Sequence, residues 1–508
     1  MLRGISGESK NKAGGREFPP VSNRPELISR RLDRVSKPRT TFLSREEIEA
    51  IHNASLQVLE KTGIKVMSKL ALDVLKKAGV KVDYGTNRAT LPRQLVNEAL
   101  KMAPKTITYG ARNPKYDFVL NKQEPHFCAD GDPPFILDWE TGRRRYSRAE
   151  DVANCAVIAD YLDHVRVVWR MATATDVPAP MQNIVGAYIN LSNTEKHCEQ
   201  GMLSAKQAQY QIEIATAIVG DSKRLREKPI VSAVQCPFSP LTYDRGITEG
   251  AIELGKAGIP VVLYPLTLSG ATGPATPAGT MVVANADVLG GLVIQELASP
   301  GAPVVYCAGA GILNFHTGDQ GESPEDPLMH LGLGQLARYY GLPDEREVFY
   351  GASKLLSQQY GHYRVEAMLT HMSTEPVPDI VLGLGGLGGT TSPEAMVIDN
   401  EIVDYALRFA QGIEVNDDTL ALDVIDKAGP GGHFLGEKHT LKHFRERWMP
   451  RLDVDSLETW EKKGIKSLGE LAHEKVKEIL ATHKPTPLPE DVDREISRIL
   501  QRAETELL

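Results

Sequence analysis

The chain has 508 residues, a net charge of −8, 42% hydrophobic and 24% charged residues: long enough for an α/β barrel, with no electrostatic footprint for nucleic acid. Its five cysteines, Cys128, Cys155, Cys198, Cys236 and Cys307, include no CxxC; this argues against a disulfide scaffold and for a reducing, cytoplasmic setting. No apolar run is expected to reach the ~20 residues of a membrane-spanning helix.

Residues 1–40 are polar and rich in Arg, Lys, Gly and Pro, and read as a flexible arm instead of a secretory signal. Residues 41–125 read as an α+β extension. Ser44 with Glu47 three residues on forms a capping box before a helix carrying Ile48, Ile51, Val58 and Leu59 on one face. A second helix is expected over 69–78, ending at Gly79, and a third after Pro92. Short strands follow at 107–109 and 118–120.

From 126 to 411 short apolar runs alternate with helical segments. The runs are 126–130, 165–171, 196–200, 230–236, 260–266, 303–308, 347–351 and 379–384. Each looks buried on both faces, as parallel strands covered by helices should be. Ser147 and Glu150 read as a second capping box leading into 152–162; helices are then expected over 205–219, 246–257, 278–297, 326–340, 360–372 and 393–410. Eight strands alternating with helices, and no dinucleotide fingerprint, predict a (β/α)₈ TIM barrel over an open doubly wound sheet. Residues 412–508 read as a helical segment outside it, with Ser467 and Glu470 capping 471–480 and an amphipathic stretch at 492–508.

In such a barrel the chemistry sits at the C-terminal ends of the strands. There is no GxSxG, HExxH or GxxxxGK[ST] motif, and no catalytic acid or nucleophile can be named. The substrate-binding candidates are Asp130, Arg170, Gln200, Gln235, Tyr264, Phe315, His316 and Gln359. Tyr264, Phe315, His316 and Gln359 are expected to converge on one cavity, where π faces would hold a small cation for up to ~2 kcal/mol. Glycine clusters at 269–273, 309–311, 383–389 and 429–432 would let a large flat ligand approach the backbone, while the 383–389 run could instead hold phosphate. Cys128, Cys198, Cys236 and Cys307 lie in or at the ends of strands, with His126 and His197 nearby. His197 and Cys198 are adjacent and point to opposite faces, and no pair has a zinc-motif spacing. No metal is therefore expected, and the four cysteines read as ordinary reduced barrel residues.

Residues 269–279 (SGATGPATPAG), 285–289 (NADVL), 300–306 (PGAPVVY), 337–343 (ARYYGLP), 397–402 (VIDNEI), 433–435 (HFL) and 439–441 (HTL) together resemble the trimethylamine methyltransferase (MttB) superfamily, from about residue 41 to the end. The resemblance implies a (β/α)₈ barrel that moves a methyl group from a methylated amine to the Co(I) corrinoid (cobalamin) of a small partner protein. It also implies no tightly bound cofactor and pairing into a homo-oligomer. Under it, Gly270, Gly273, Gly385, Gly386, Gly388 and His433 would face the corrinoid. Some members carry pyrrolysine. This chain has only the standard twenty residues, which resembles the branch acting on quaternary amines such as glycine betaine, proline betaine or carnitine. It departs from the pattern at His316, where Arg is common, and at Ala352-Ser353-Lys354 and Ser357-Gln358-Gln359, where Asp-Ser-Lys and Asp-x-Gln are common. Without Arg at 316, Arg170 or Lys354 is the candidate for a substrate carboxylate. A quaternary ammonium departs as a neutral amine and needs no general acid, which matches the plain rim. The alternatives are a zinc-dependent methyltransferase using the barrel cysteines and a barrel that only binds methylated amines.

Overall fold

The computed structural model describes residues 34–120, 124–348, 353–375 and 377–508, so most of the arm expected at 1–40 lies outside them. The chain divides into two compact units. The larger comprises residues 37–412 and 445–508; the smaller is described at 34–36 and 413–444.

Eight parallel strands form the centre of the larger unit: β1 His126–Ala129, β2 Val165–Trp169, β3 His197–Gln200, β4 Val231–Gln235, β5 Val261–Leu263, β6 Val304–Tyr306, β7 Glu345–Glu347 and β8 Ile380–Leu384. They pair in sequence order from β1 to β6, and β1 also pairs with β8, which pairs with β7. A parallel bridge between Tyr306 and Asp344, at the start of β7, closes the ring. All eight expected runs contribute a strand to this barrel. Its helices are α1 Ala149–Tyr161, α2 Gln182–Ser192, α3 Ala205–Val219, α4 Arg245–Ala257, α5 Pro277–Ala298, α6 Glu325–Tyr340, α7 Gln358–Met372 and α8 Pro393–Gln411.

Four local expectations are corrected. The helix α2 was not anticipated, because no side chain caps it: Met181 precedes it in helical conformation without a cap hydrogen bond. At α1, Ser147 donates instead to the Thr173 carbonyl (2.7 Å), and Asp151, not Glu150, accepts the Arg148 N–H (2.8 Å). The strand β7 begins two residues earlier than expected, at Glu345, and 349–351 lie outside the described residues. Its Glu-Arg-Glu sequence looks like a loop, yet Arg346 is paired with Asp344 (2.6 Å) and all three β7 residues are buried. Finally, α5 is long and apolar enough to cross a membrane, against expectation. Asn285, Asp287, Gln295 and Glu296 interrupt the apolar run in the sequence, but all are buried, and the helix packs against Arg45–Lys61 and Arg93–Met102.

The barrel interior is apolar at Val167, Trp169, Val234, Val262, Val305, Ile380 and Leu382. The hairpin Ile107–Tyr109 with Phe118–Leu120 plugs its N-terminal end: Ile107, Tyr109 and Leu120 join the same cluster, and Tyr109 stacks on His197 at the start of β3 (4.0 Å between centroids). The opposite end is raised by two extensions. Leu266–Ser269 pairs with Gly309–Ile312 beyond β5 and β6, and Phe135–Asp138 pairs with Arg143–Tyr146 and Thr390–Thr391. The helix Leu468–Thr482 packs on α8 and α1, and Glu490–Leu507 on α3.

Candidate active site

Pleating decides which rim residues see the interior, because successive side chains alternate faces. On β3, Glu199 faces inward, bonded to Ser232 on β4 (2.9 Å). Gln200 therefore turns to the helix layer and is buried there. Gln235 also faces outward, accepting from the Gln295 amide of α5 (3.3 Å). Arg170 follows the inward Trp169 and turns toward α2. Its guanidinium holds Asp132 (Nε to Oδ1, 2.6 Å) and Asn183 Oδ1 (2.7 Å), at 1% exposure. A Cβ at Gly186 would lie 2.3 Å from Arg170 Nη1, so glycine at that point of α2 makes room for it. These three residues were expected to touch substrate; the alternation of the strands directs them away from the mouth.

The aromatic candidates do not converge either. Tyr264 stands at the mouth, but Phe315 lies out on the rim extension, 74% exposed, over the backbone of Gly270. His316 is exposed, its N–H bonded to Asn314 Oδ1 (2.9 Å), and Gln359 is exposed and bonded to Glu322 (3.2 Å). The expected single cavity of Tyr264, Phe315, His316 and Gln359 is thus not formed. Among the expected glycines, Gly270 turns at φ +87° under the Phe315 ring, and Gly273 packs on Thr267. Gly385 and Gly386 are buried, with Met171 filling the space where a Gly385 side chain would go. Gly388 lines a rim cavity of about 610 Å³, together with Arg144, Asn314, Gln320 and Lys354. His433 belongs to the smaller unit, where it is exposed.

What the barrel brings to its mouth is a different set. Trp169 and Tyr264 meet edge to face, 6.3 Å between centroids at 74°. The Gly131 backbone lies so close to the indole that a Cβ would fall 1.9 Å from it, and Asp132 accepts from the indole N–H (3.2 Å). Gly309 leaves room for the Tyr264 ring in the same way. Asp130 directly follows β1, and Glu347 ends β7 beside Tyr264. Burial raises Glu347 to about 8, with the Tyr264 hydroxyl pulling the other way. Burial also raises Asp130 to about 7, opposed by the Gly131 N–H and Arg364. Cys236, just past β4, is exposed to solvent although protein surrounds it, as on the wall of a recess. Burial, with Asp132, Glu199 and Glu347 adding, pushes its thiol up to about 12. A thiol raised in this way is a poor nucleophile unless a cation beside it draws off the proton. Leu203, Phe238, Leu266 and Phe315, which follow β3, β4, β5 and β6, are exposed apolar side chains on this rim.

Trp169, Asp132 and Glu347 were missed as site residues. Asp132 was legible in the Asp-Gly-Asp sequence after β1. Glu347 would have followed from starting β7 at Glu345, which places both glutamates on one face.

The residues from 12 to 507 match the family model "Trimethylamine methyltransferase (MTTB)". The chain is 34% identical to trimethylamine methyltransferase MttB of Desulfitobacterium hafniense over 469 residues, 91% of this chain and 94% of that protein. It is 31% identical to glycine betaine methyltransferase of the same species over 472 residues, covering 91% and 97%. It is also similar to the solved structure of monomethylamine methyltransferase (MtmB) of Methanosarcina barkeri, at 10% identity and a TM-score of 0.49, covering 93% and 88%. With a match spanning nearly its whole length and relatives above 30% identity, the chain belongs to the trimethylamine methyltransferase family and is a methyltransferase.

Proposed function

We propose that this enzyme takes a methyl group from a quaternary amine and passes it to the Co(I) corrinoid of a partner protein, in the cytoplasm. The observation that carries the reading is the mouth itself: two aromatic rings, Trp169 and Tyr264, set edge to face above buried carboxyls and inside an apolar rim. A desolvated cation against such faces gains up to ~2 kcal/mol. A cation bound there would draw the carboxyls of Asp130 and Glu347, which burial holds up, toward their charged forms. The corrinoid, when its carrier docks, would supply the nucleophile that takes the methyl group. The residues fit that arrangement. Leu203, Phe238, Leu266 and Phe315 offer an apolar landing around the mouth, and at Gly389 a Cβ would meet nothing within 4 Å, which leaves rim backbone open.

The chain's own part is to bind, orient and keep water away. Trp169 and Tyr264 hold the ammonium so that one methyl points out of the barrel, and Arg170 fixes Asp132 against the indole so that the ring cannot rotate away. The leaving group is a neutral amine, so no protein acid has to protonate it.

The test is the visible spectrum of cob(I)alamin under anaerobic conditions as each amine is added. Methylcobalamin is expected with at least one quaternary amine and not with trimethylamine. Activity with trimethylamine alone would overturn the donor class, and none with any methylated amine would overturn the whole reading. Tyr264→Ala is expected to lower kcat/KM about 30-fold, the loss of ~2 kcal/mol.

A further inference from the structure

Beneath the mouth the barrel interior holds a second polar group that the proposed reaction does not use. Cys128 on β1, Glu199 on β3 and Glu345 on β7 reach inward from three different strands, and one ligand atom from each lies within 4.8 Å of the other two. All three residues are buried, at 0%, 0% and 2% exposure. Glu199 spends one oxygen on Ser232. Among the described residues, its other oxygen, both oxygens of Glu345 and the hydroxyl of Tyr109 have no hydrogen-bond partner. Tyr109 is fully buried in the plug below, next to the same three residues. Buried polar atoms in native proteins are almost always satisfied, and a cluster of exceptions asks for a missing ion or water. Two carboxyls and a thiol, gathered where water is excluded, ask for a cation.

We propose that Cys128, Glu199 and Glu345 bind a zinc ion inside the barrel, as a staple across β1, β3 and β7. Zinc–ligand bonds of about 2.0–2.3 Å set tetrahedral ligands about 3.3–3.5 Å apart, so the cluster has to draw in by roughly an ångström. The thiolate selects zinc over magnesium or calcium, which prefer all-oxygen shells. The ion would be sealed from solvent and would serve structure. That sets it apart from a zinc at the mouth, where Cys236 stands. The other convergence of possible ligands among the described residues, Asp418 with His439 and His443, already has the Lys442 ammonium on its carboxylate (2.6 Å). Spacing rules do not reveal the barrel site, because its ligands are separated by 71 and 146 residues (199 minus 128; 345 minus 199) and meet only when the sheet closes.

The experiment is elemental analysis of the full chain, purified without chelator, beside C128S, E345Q and C236S. Wild type and C236S are expected to carry about one zinc per chain, and C128S and E345Q less than about a tenth of that. Protein grown in zinc-depleted, cobalt-supplemented medium should show a near-ultraviolet thiolate-to-cobalt band that C128S lacks. A wild-type chain that carries no metal and shows no cobalt band overturns the proposal. So does E345Q with full metal, or zinc that is lost in C236S and kept in C128S. If the core variants fail to fold, the wild-type metal content and cobalt spectrum decide it.

Discussion

Two buried aspartates of the outer layer, one on each side of the barrel, have almost the same neutral partners. Asp287 on α5 accepts from the Ser239 hydroxyl and the Leu241 N–H, both at 2.6 Å. Asp399 on α8 accepts from the Tyr360 hydroxyl (2.6 Å) and the Gly385 N–H (2.8 Å). The difference is a cation. Arg364 stands 3.4 Å from Asp399 and also donates to the carbonyls of Val348, Gly383 and Gly386, tying together the ends of β7 and β8. Burial raises Asp399 too, with Arg364 the strongest influence against it; Asp287 has no such neighbour among the described residues, and burial raises it to about 7 in spite of its two donors. Neutral hydrogen bonds thus leave a buried carboxyl raised, and a fixed cation offsets only part of the desolvation. The same rule makes Glu199 and Glu345, which have no cationic side chain bonded to them, stand out in the barrel interior.

The comparison is broken most severely by removing the cation. Arg364→Ala leaves Asp399 buried without its counter-charge and three carbonyls without a donor. It should cost about 3–5 kcal/mol in denaturant unfolding. A loss below about 1 kcal/mol would show that Arg364 does not anchor the β7 and β8 ends.

A smaller effect sharpens the contrast from the Asp287 side. Because its folded pKa is raised, its contribution to stability is fully present below the unfolded value of about 3.9 and is lost as pH rises through about 7. Asp287→Asn should remove up to about 1.4 kcal/mol per pH unit from the slope of stability against pH inside that window, and nothing above it. Parallel curves for the two proteins would mean that Asp287 stays charged in the fold.

The smallest effect belongs at the surface, where solvent does the work of a partner. Lys206 meets Glu506 at 2.5 Å, but both are about half exposed. Lys206→Met should change stability by less than about 1 kcal/mol, and a larger loss would mean that the C-terminal helix is held on α3 by charge instead of by its apolar face.

Much of the fold was legible from local physics. Apolar runs marked seven of the barrel strands, the run at 347–351 meeting β7 only at Glu347, and capping boxes at Ser44 with Glu47 and at Ser467 with Glu470 form as the sequence predicts. Those signals lie within a few residues of one another, so no tertiary contact is needed to read them. The expected site was less legible. Tyr264 reaches the mouth, yet Gln200, Gln235 and Arg170 turn to the helix layer, and Phe315 and Gln359 lie apart on the rim. A one-residue step along a strand reverses the face of a side chain, and the sequence does not show where each strand begins at that precision. β7 is the plainest case: its charged Glu-Arg-Glu looks like a loop until closure of the barrel turns Glu345 and Glu347 inward. Composition and periodicity by themselves determined that this chain builds a barrel. Only the closed sheet decided which acids, rings and thiols share its interior, because groups that are far apart in the chain meet only through the register of neighbouring strands.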